Sequence, residues 1–134
     1  MPDRPPSGER LRVQTDSWGS TWDWNQDPGT CPQDVLRTVQ RGLYKLDAQG
    51  KLQGDLVDSE SSSPDFKLWT FRLKRGVLWS DGSPLIAQNV LDGVLRAIDP
   101  GVRAVPDTLS NIEGVAQHHA REPGASLGVR VISE

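Results

Sequence analysis

The alternation of apolar and polar residues predicts two helices in this chain. In each of them the apolar residues recur every three or four positions, so that they fall on one face. The first helix is predicted from Cys31 to about Gly42, because Pro32 suits a first turn and Gly42 suits a helix end. The second is predicted over residues 85–98 and ends at 99–101, the sequence Asp-Pro-Gly. Its apolar stripe consists of Val90, Leu91, Val94, Leu95 and Ile98.

Other stretches show the short alternation or the aromatic and β-branched residues that are typical of strands. The predicted strands are 11–15, 43–46 with a return at 51–52, 56–60, 68–73 and 127–132. Alternation along 68–73 places Trp69, Phe71 and Leu73 on one face, and we expect this central strand to pack that face on the second helix. If Phe71 lies in the core, its replacement by alanine costs about 3–5 kcal/mol.

The order of these elements predicts an α+β fold. Strands and helices follow one another without regular βαβ alternation, which favours a mostly antiparallel sheet with helices packed on it. Residues 109–120 are expected to add helix. The chain has 134 residues, enough for one domain, and its 13 Gly and 10 Pro favour short elements. No apolar run approaches the length of about 18 residues that a membrane-spanning helix needs.

Charge argues against a nucleic-acid-binding protein. The chain has 15 Lys and Arg against 18 Asp and Glu, a net charge of −3, and no basic footprint. A basic stretch over 67–75 follows an acidic stretch over 55–65, and we expect these charges to pair across a hairpin. We therefore predict no nucleic-acid partner for this segment.

The residue types that support catalysis or metal binding are sparse and scattered. Cys31 is the single cysteine, which excludes an internal disulfide, and a structural role suits it better than a nucleophilic one. His118 and His119 are neighbours that point in different directions on a helix, so a surface pair is favoured over a metal site. No phosphate-loop, dinucleotide, hydrolase-elbow or metalloprotease motif is present. We predict a protein that is not an enzyme and has no cofactor, no metal site and no catalytic residues.

A loop over residues 16–29 holds three of the five Trp residues of the chain. In one interpretation Trp18, Trp22 and Trp24 pack the loop onto the core, as Trp residues commonly do. In the other they form an aromatic wall toward a ligand, with Asp23 available for a cationic or hydrogen-bonding group. Composition leaves both interpretations open.

Two adjoining segments, LWTFRLKRG over 68–76 and WSDGSPLIAQNV over 79–90, resemble a family motif. That family is the oligopeptide- and dipeptide-binding proteins of ABC importers, family 5 of the extracellular solute-binding proteins. Segments 40–44, 47–50, 55–56, 112–114 and 127–131 resemble flanking stretches of the same family, so that about residues 11–134 are covered. The chain departs from the family pattern in three places. Ile86 replaces a Thr and loses a helix cap worth about 1 kcal/mol, Asn89 replaces an Asp, and Glu60 stands where a Trp is common.

The resemblance implies a periplasmic-binding-protein-like fold (type II, cluster C), in which two lobes close on a ligand. This chain is then expected to hold a flexible leader over 1–10, the first strand and loop of the main ligand-binding lobe over 11–24, and an incomplete accessory lobe domain over 25–134. Of these parts, the loop after the first strand is expected to reach the ligand cleft. The predicted ligand-binding residues are Trp18, Trp22, Asp23 and Trp24.

The resemblance implies a fragment of a receptor that feeds peptides or related small solutes to an ABC importer. The partners are then a solute and the transporter permease, and a monomer is expected. Residues 1–10 have no apolar run of the kind a signal peptide needs. One alternative is therefore a cytoplasmic ligand-sensing domain of a transcriptional regulator, and another is an interaction protein that keeps only the accessory domain. The receptor is expected to be periplasmic, or an extracytoplasmic lipoprotein anchored to the membrane.

Overall fold

The computed structural model describes residues 38–102 and 105–132, together with Asp23, Asn25, Gln26 and Leu36. This part of the chain contains β-strands in antiparallel pairs and short α-helices, which confirms the predicted α+β class. The strands are β1 (Tyr44–Leu46), β2 (Leu52–Gly54), β3 (Val57–Ser62) and β4 (Trp69–Leu73). The helices are α1 (Ala87–Ala97), α2 (Asp107–Ser110) and α3 (Val115–His119).

A tight turn joins β1 to β2, and its polar residues explain why it forms. The Asp47 carboxylate accepts hydrogen bonds from the backbone N–H groups of Gln49, at 2.9 Å, and Lys51, at 2.8 Å. Gly50 takes the left-handed conformation, with φ of 75°, which glycine adopts without a steric cost. The register then places Tyr44 opposite Gly54. The predicted strand, turn and return are confirmed.

Strands β3 and β4 form a second antiparallel hairpin, with Val57 opposite Leu73 and Ser62 opposite Trp69. The register shifts between Val57 and Ser59, as it does at a β-bulge. Strand β4 follows the prediction for residues 68–73 closely. Within the described residues β4 pairs with β3. The strand predicted over 11–15 lies outside them, so the position of β4 as a central strand stays a prediction.

The apolar face of β4 is exposed, contrary to the sequence-based expectation. Trp69 is 46% exposed and Phe71 is 41% exposed. The aromatic rings on this face lie against one another, and Trp69 and Phe71 are stacked. Alternation along a strand shows which residues share a face. What covers that face depends on elements that are distant in sequence.

This exposure changes the expected effect of removing the Phe71 ring. Because Phe71 is 41% exposed, we expect Phe71→Ala to lower the free energy of unfolding by about 2 kcal/mol, less than a core phenylalanine would cost. Phe66→Ala is the matched control, since Phe66 is 68% exposed and should cost less. Urea denaturation of both variants measures the difference. A loss above about 3 kcal/mol for Phe71→Ala would show that this ring is buried in solution.

Helix α1 begins two residues later than predicted and ends one residue earlier. Its N-cap residue, Ile86, has no side-chain acceptor, as the sequence indicated. The Asn89 side chain compensates in part, because its Oδ1 accepts the Ile86 N–H at 2.9 Å. At the other end the Ile98 N–H donates to the carbonyl of Val94 at 3.1 Å. The Asn89 side chain therefore satisfies a backbone N–H at the start of the helix, and a regular backbone hydrogen bond extends to its end.

The predicted first helix is only partly described. Leu36, Thr38 and Val39 are helical, and the Gln40 N–H donates to the Leu36 carbonyl at 2.8 Å. The chain is no longer helical at Gln40, so the helix ends before the predicted Gly42. Residues 31–35, including Cys31, lie outside the described residues.

The buried apolar residues of the described part are few and come from different segments of the chain. Those with less than a tenth of their surface exposed are Leu36, Leu56, Val57, Ile98, Val102 and Val115. Ile98 is fully buried and Val115 is 1% exposed. His119 of α3 lies with its Nδ1 at 3.3 Å from the carbonyl oxygen of Ile98, which places α3 beside the C-terminal end of α1. Both His118 and His119 keep part of their surface exposed, which agrees with the predicted surface pair.

The last part of the chain differs most from the prediction. The helix predicted over 109–120 is divided into α2 and α3, and Gly114 between them has φ of 78°. The strand predicted over 127–132 does not form in the described residues. Instead the Gly128 N–H donates to the carbonyl of Glu113 at 2.8 Å. This segment is held by the loop between α2 and α3, and it forms no ladder with the strands that the structure describes.

Candidate functional site

Asp23 is the one predicted ligand-binding residue that the structure describes. It begins a turn, because its carbonyl accepts the Gln26 N–H at 3.0 Å and its Oδ1 accepts the Asn25 N–H at 3.0 Å. An aspartate side chain that bonds to the backbone two residues later is a common way of fixing a turn. We call Asp23, Asn25 and Gln26 the Asp23 turn. Trp18, Trp22 and Trp24 lie outside the described residues.

The Asp23 turn lies against the C-terminal end of α1. Arg96, in the last turn of that helix, donates from Nη2 to the Asp23 Oδ2 and forms an ion pair with it. The side chain of Asp23 is 31% exposed and that of Arg96 is 54% exposed. The Asn25 N–H and the Arg96 guanidinium hold the pKa of the Asp23 carboxyl below its usual value, against the opposing effect of partial burial. The carboxylate is therefore stabilised in its charged form.

Arg96 was not among the residues selected from the sequence. It is separated from Asp23 by 73 positions, and no local pattern connects the two. The signal available in the sequence was weak, namely a basic residue near a helix C-terminus, which also suits the helix dipole. Contact between the two residues follows only from the tertiary arrangement.

A row of aromatic side chains crosses the outer face of the β3–β4 hairpin. Tyr44 and Phe71 meet edge to face with centroids 6.3 Å apart, and Phe71 and Trp69 are stacked at 6.3 Å. Phe66 continues the row at 6.2 Å from Trp69. The sequence identified three of the four rings by strand alternation and the family motif, but it placed two of them in a core. The aromatic row is instead an apolar surface of the described part.

An open groove of about 380 Å³ lies beside this row, between the two hairpins. Its walls combine an aromatic ring, a basic residue and two carboxylates, from Tyr44, Lys74, Asp58 and Glu60. Lys74 donates from Nζ to the Gly54 carbonyl at 2.8 Å, which links the two hairpins. The charge pairing predicted across the β3–β4 hairpin does not hold for Lys74, whose bond is to a backbone carbonyl of β2.

Asp55 makes the most extensive ion pair of the described residues, although the sequence predicted a partner across the hairpin. Arg41 donates two hydrogen bonds to its carboxylate, from Nη2 to Oδ1 at 2.8 Å and from Nε to Oδ2 at 3.1 Å. Lys45 adds a second cation with Nζ at 3.6 Å. Asp55 is buried, with 8% of its surface exposed. The hydrogen bonds from Arg41 hold the pKa of the Asp55 carboxyl below its usual value.

This pair gives the chain a stability that depends on pH. Because the folded-state pKa of Asp55 is lowered, its contribution is present above the ordinary aspartate value of about 3.9 and is lost as the pH falls through the lowered value. We expect Asp55→Asn to cost about 1–3 kcal/mol at pH 7 and progressively less below pH 4. Asp58→Asn, at an exposed position, is the control. Thermal unfolding from pH 7 to pH 2 measures both, and a constant difference across that range would contradict the assignment.

No group of three or more His, Cys, Asp or Glu side chains is arranged to hold a metal ion in the part of the chain that the structure describes. In the same part, no helix has the length and apolar character needed to cross a membrane.

Comparison with known proteins places this arrangement in a family. Residues 51–128 match the family described as "Bacterial extracellular solute-binding proteins, family 5 Middle". The chain belongs to this family. The matched region runs from the end of the first hairpin turn to the glycine that contacts the α2–α3 loop. It includes α1, both late helices and three rings of the aromatic row, Phe66, Trp69 and Phe71.

Individual relatives agree with the family match. The periplasmic oligopeptide-binding protein OppA of Haemophilus influenzae is 33% identical over 84 residues, covering 63% of this chain and 16% of that protein. The probable deoxycholate-binding periplasmic protein YgiS of Escherichia coli is 33% identical over 129 residues, covering 82% of this chain and 23% of YgiS. The chain therefore spans about a fifth of the length of these relatives.

The fold is also shared with a solved structure. The crystal structure of H. influenzae OppA in complex with RPPGFSPFR matches 84% of this chain and 23% of the OppA chain, with a TM-score of 0.75 and 28% sequence identity. This match confirms the predicted periplasmic-binding-protein-like fold of type II.

Proposed function

We propose that this chain is part of a receptor that binds peptides or related small solutes and delivers them to an ABC importer. The observation that carries the proposal is the match to OppA, which was crystallised with RPPGFSPFR and shares 28% identity over 84% of this chain. Relatives named as binding proteins for oligopeptides, glutathione and murein peptide support the same solute class. They favour the receptor over the transcriptional regulator, because each of them is a binding protein.

The proposal includes the role of each part of the chain. Residues 1–10 form the leader, 11–24 the first strand and loop of the main ligand-binding lobe, and 25–134 the accessory domain. The receptor is non-enzymatic, lies outside the cytoplasm as its periplasmic relatives do, and is a monomer. A lipoprotein anchor and contact with a permease complete the proposal.

The ligand-facing residues are proposed to be those of the loop after the first strand. Trp18, Trp22 and Trp24 supply aromatic surface, which suits the side chains and the flat amide groups of a peptide. The ion pair between Asp23 and Arg96 supports a position of the Asp23 turn beside the proposed accessory domain. Support from a folded element improves the precision of a binding site.

Saturation-transfer NMR with a pool of di- to pentapeptides tests this assignment, because the method detects millimolar contacts. We expect transfer to peptide signals, a weaker effect with free amino acids, and a decrease in Trp22→Ala and Trp24→Ala. Trp79→Ala is the matched control and should not reduce the transfer. Transfer that is undiminished in the two loop variants would place the site elsewhere. An absence of transfer with the unmodified chain would contradict peptide contact by this loop.

A further inference from the structure

We propose that the groove between the two hairpins binds the guanidinium group of an arginine side chain carried by a peptide segment. The groove has a volume of about 380 Å³, which lies at the lower end of the range for small-ligand sites. Its lining residues belong to the two hairpins or adjoin them. The inference therefore does not depend on the role proposed for the loop over residues 16–29.

Two carboxylates without a cation give the groove its chemical character. Asp58 and Glu60 line it, and among the described residues neither side chain forms an ion pair or a hydrogen bond. The cations of the neighbouring strand cannot neutralise them, because Arg41 and Lys45 both pair with Asp55. The groove therefore offers two carboxylates to a cationic group of a ligand.

Lys74 leaves this negative charge in place. It is the only basic residue among the described residues that line the groove, so two carboxylates against one ammonium give the lining a net charge of −1. Its Nζ donates to the carbonyl of Gly54 at 2.8 Å. That bond directs the ammonium to the backbone of β2, and the charge of the groove favours a cation over an anion.

Aromatic rings stand beside these carboxylates and narrow the choice of cation. Glu60 is opposite Phe71 in the register of β3 and β4, and residues opposite each other project from the same face of a sheet. Phe71 is 41% exposed and meets Tyr44 edge to face. A guanidinium is flat and weakly hydrated, so it stacks on an aromatic ring while its N–H groups bond to carboxylates. The compact, strongly hydrated ammonium of a lysine suits an open groove less well.

The hydroxyl of Tyr44 is a further group that an N–H donor would satisfy. Tyr44 lines the groove. Its hydroxyl oxygen is buried and has no hydrogen-bond partner among the described residues, which is uncommon for a buried polar atom. A guanidinium carries several N–H donors in one plane, so one group can serve a carboxylate and this oxygen together.

Titration of the isotope-labelled 134-residue chain with N-acetyl-arginine amide, followed by NMR, tests the proposal. We expect saturable shifts of the amides of Asp58, Glu60 and Phe71, with a dissociation constant of about 1 mM or higher, because a small ligand in an open groove stays partly solvated. N-acetyl-citrulline amide is the matched control ligand, since it has nearly the same shape without the charge. It should bind about fivefold or more weakly, because the charged hydrogen bonds are lost. Equal binding of the two ligands, or an absence of saturable shifts with arginine, would overturn the proposal.

Three variants test whether the ligand lies in the groove. Glu60→Gln and Asp58→Asn should each weaken the binding of N-acetyl-arginine amide by about two- to fivefold, the range that exposed ion pairs give. Tyr44→Phe should also weaken it without lowering the free energy of unfolding, because a hydroxyl without a partner contributes no hydrogen bond to the fold. Glu122→Gln, at an exposed glutamate outside the hairpins, is the matched control and should leave the affinity unchanged. Unchanged affinity in both Glu60→Gln and Asp58→Asn would exclude the groove as the site.

Discussion

Replacing Gly114 with alanine is expected to destabilise this chain far more than the same replacement at Gly124. The two glycines have almost the same backbone conformation, with φ of 78° and 77°, so the strain of a left-handed alanine is common to both. Their surroundings differ. A Cβ at Gly114 would lie 1.9 Å from the carbonyl oxygen of Ser126, whereas a Cβ at Gly124 would meet no atom within 4 Å.

The size of the difference follows from which atoms have to move. Gly124→Ala is expected to cost about 1–2 kcal/mol, which is the strain of the left-handed conformation. Gly114→Ala adds the displacement of the Ser126 and Leu127 backbone and should cost about 1–3 kcal/mol more. Urea denaturation of both variants measures the free energies of unfolding, and an unchanged m-value confirms that the same surface is exposed. Equal losses would show that the chain does not approach Gly114 closely in solution.

The contact at Gly114 explains two late segments that the sequence singled out separately. Residues 112–114 and 127–131 both resemble family stretches, and each contains one glycine. In the structure each glycine lies close to the other segment. A Cβ at Gly114 would meet Ser126, and a Cβ at Gly128 would lie 2.9 Å from Cβ of Glu113. The Gly128 N–H also donates to the Glu113 carbonyl at 2.8 Å. Glycine at both positions permits two backbones to approach each other.

The features that the sequence predicted well are those that depend on neighbouring residues. The turn at Asp47–Gly50 is closed by its own aspartate and a glycine of positive φ, and helix α1 ends before an Asp-Pro-Gly sequence. The alternation along β4 was also predicted correctly. The exposure of Trp69 and Phe71 on that strand was not predicted, because it depends on which distant elements pack against the strand. The same reason explains why Asp55 was assigned a partner across the hairpin instead of Arg41.

The sequence indicated which residues belong to the candidate site, but it did not indicate which residues hold them in place. Asp23 was selected because it stands among three tryptophans, and its charge suggested direct contact with a ligand. In the structure that carboxylate also forms an ion pair with Arg96. No rule of sequence spacing connects Arg96 with Asp23. An aspartate is thus recognised in the sequence as a possible ligand group, while the partner that orients it appears only in the folded chain.

The 134-residue chain is expected to bind peptides weakly, with a dissociation constant of about 1 mM or higher. It spans about a fifth of the length of its relatives, and the family resemblance implies a two-lobed cleft to which this chain contributes only a small part. A cleft receptor gains affinity by burying most of the ligand surface. A single wall leaves the peptide largely solvated while the entropic cost of association remains. Each 1.4 kcal/mol lost lowers the affinity about tenfold, so the loss of several contacts removes micromolar binding.

Isothermal titration calorimetry with RPPGFSPFR and with the peptide pool measures this affinity, and H. influenzae OppA, crystallised with RPPGFSPFR, is the positive control. We expect heats from this chain near the dilution background at micromolar concentrations. The residual contact should depend on the loop, so Trp22→Ala and Trp24→Ala should reduce it further. Micromolar binding that survives both substitutions would contradict the prediction in a specific way. The ligand would then be enclosed by residues 25–134 alone, and the groove between the two hairpins, beside Tyr44 and Lys74, would be the first place to search for it.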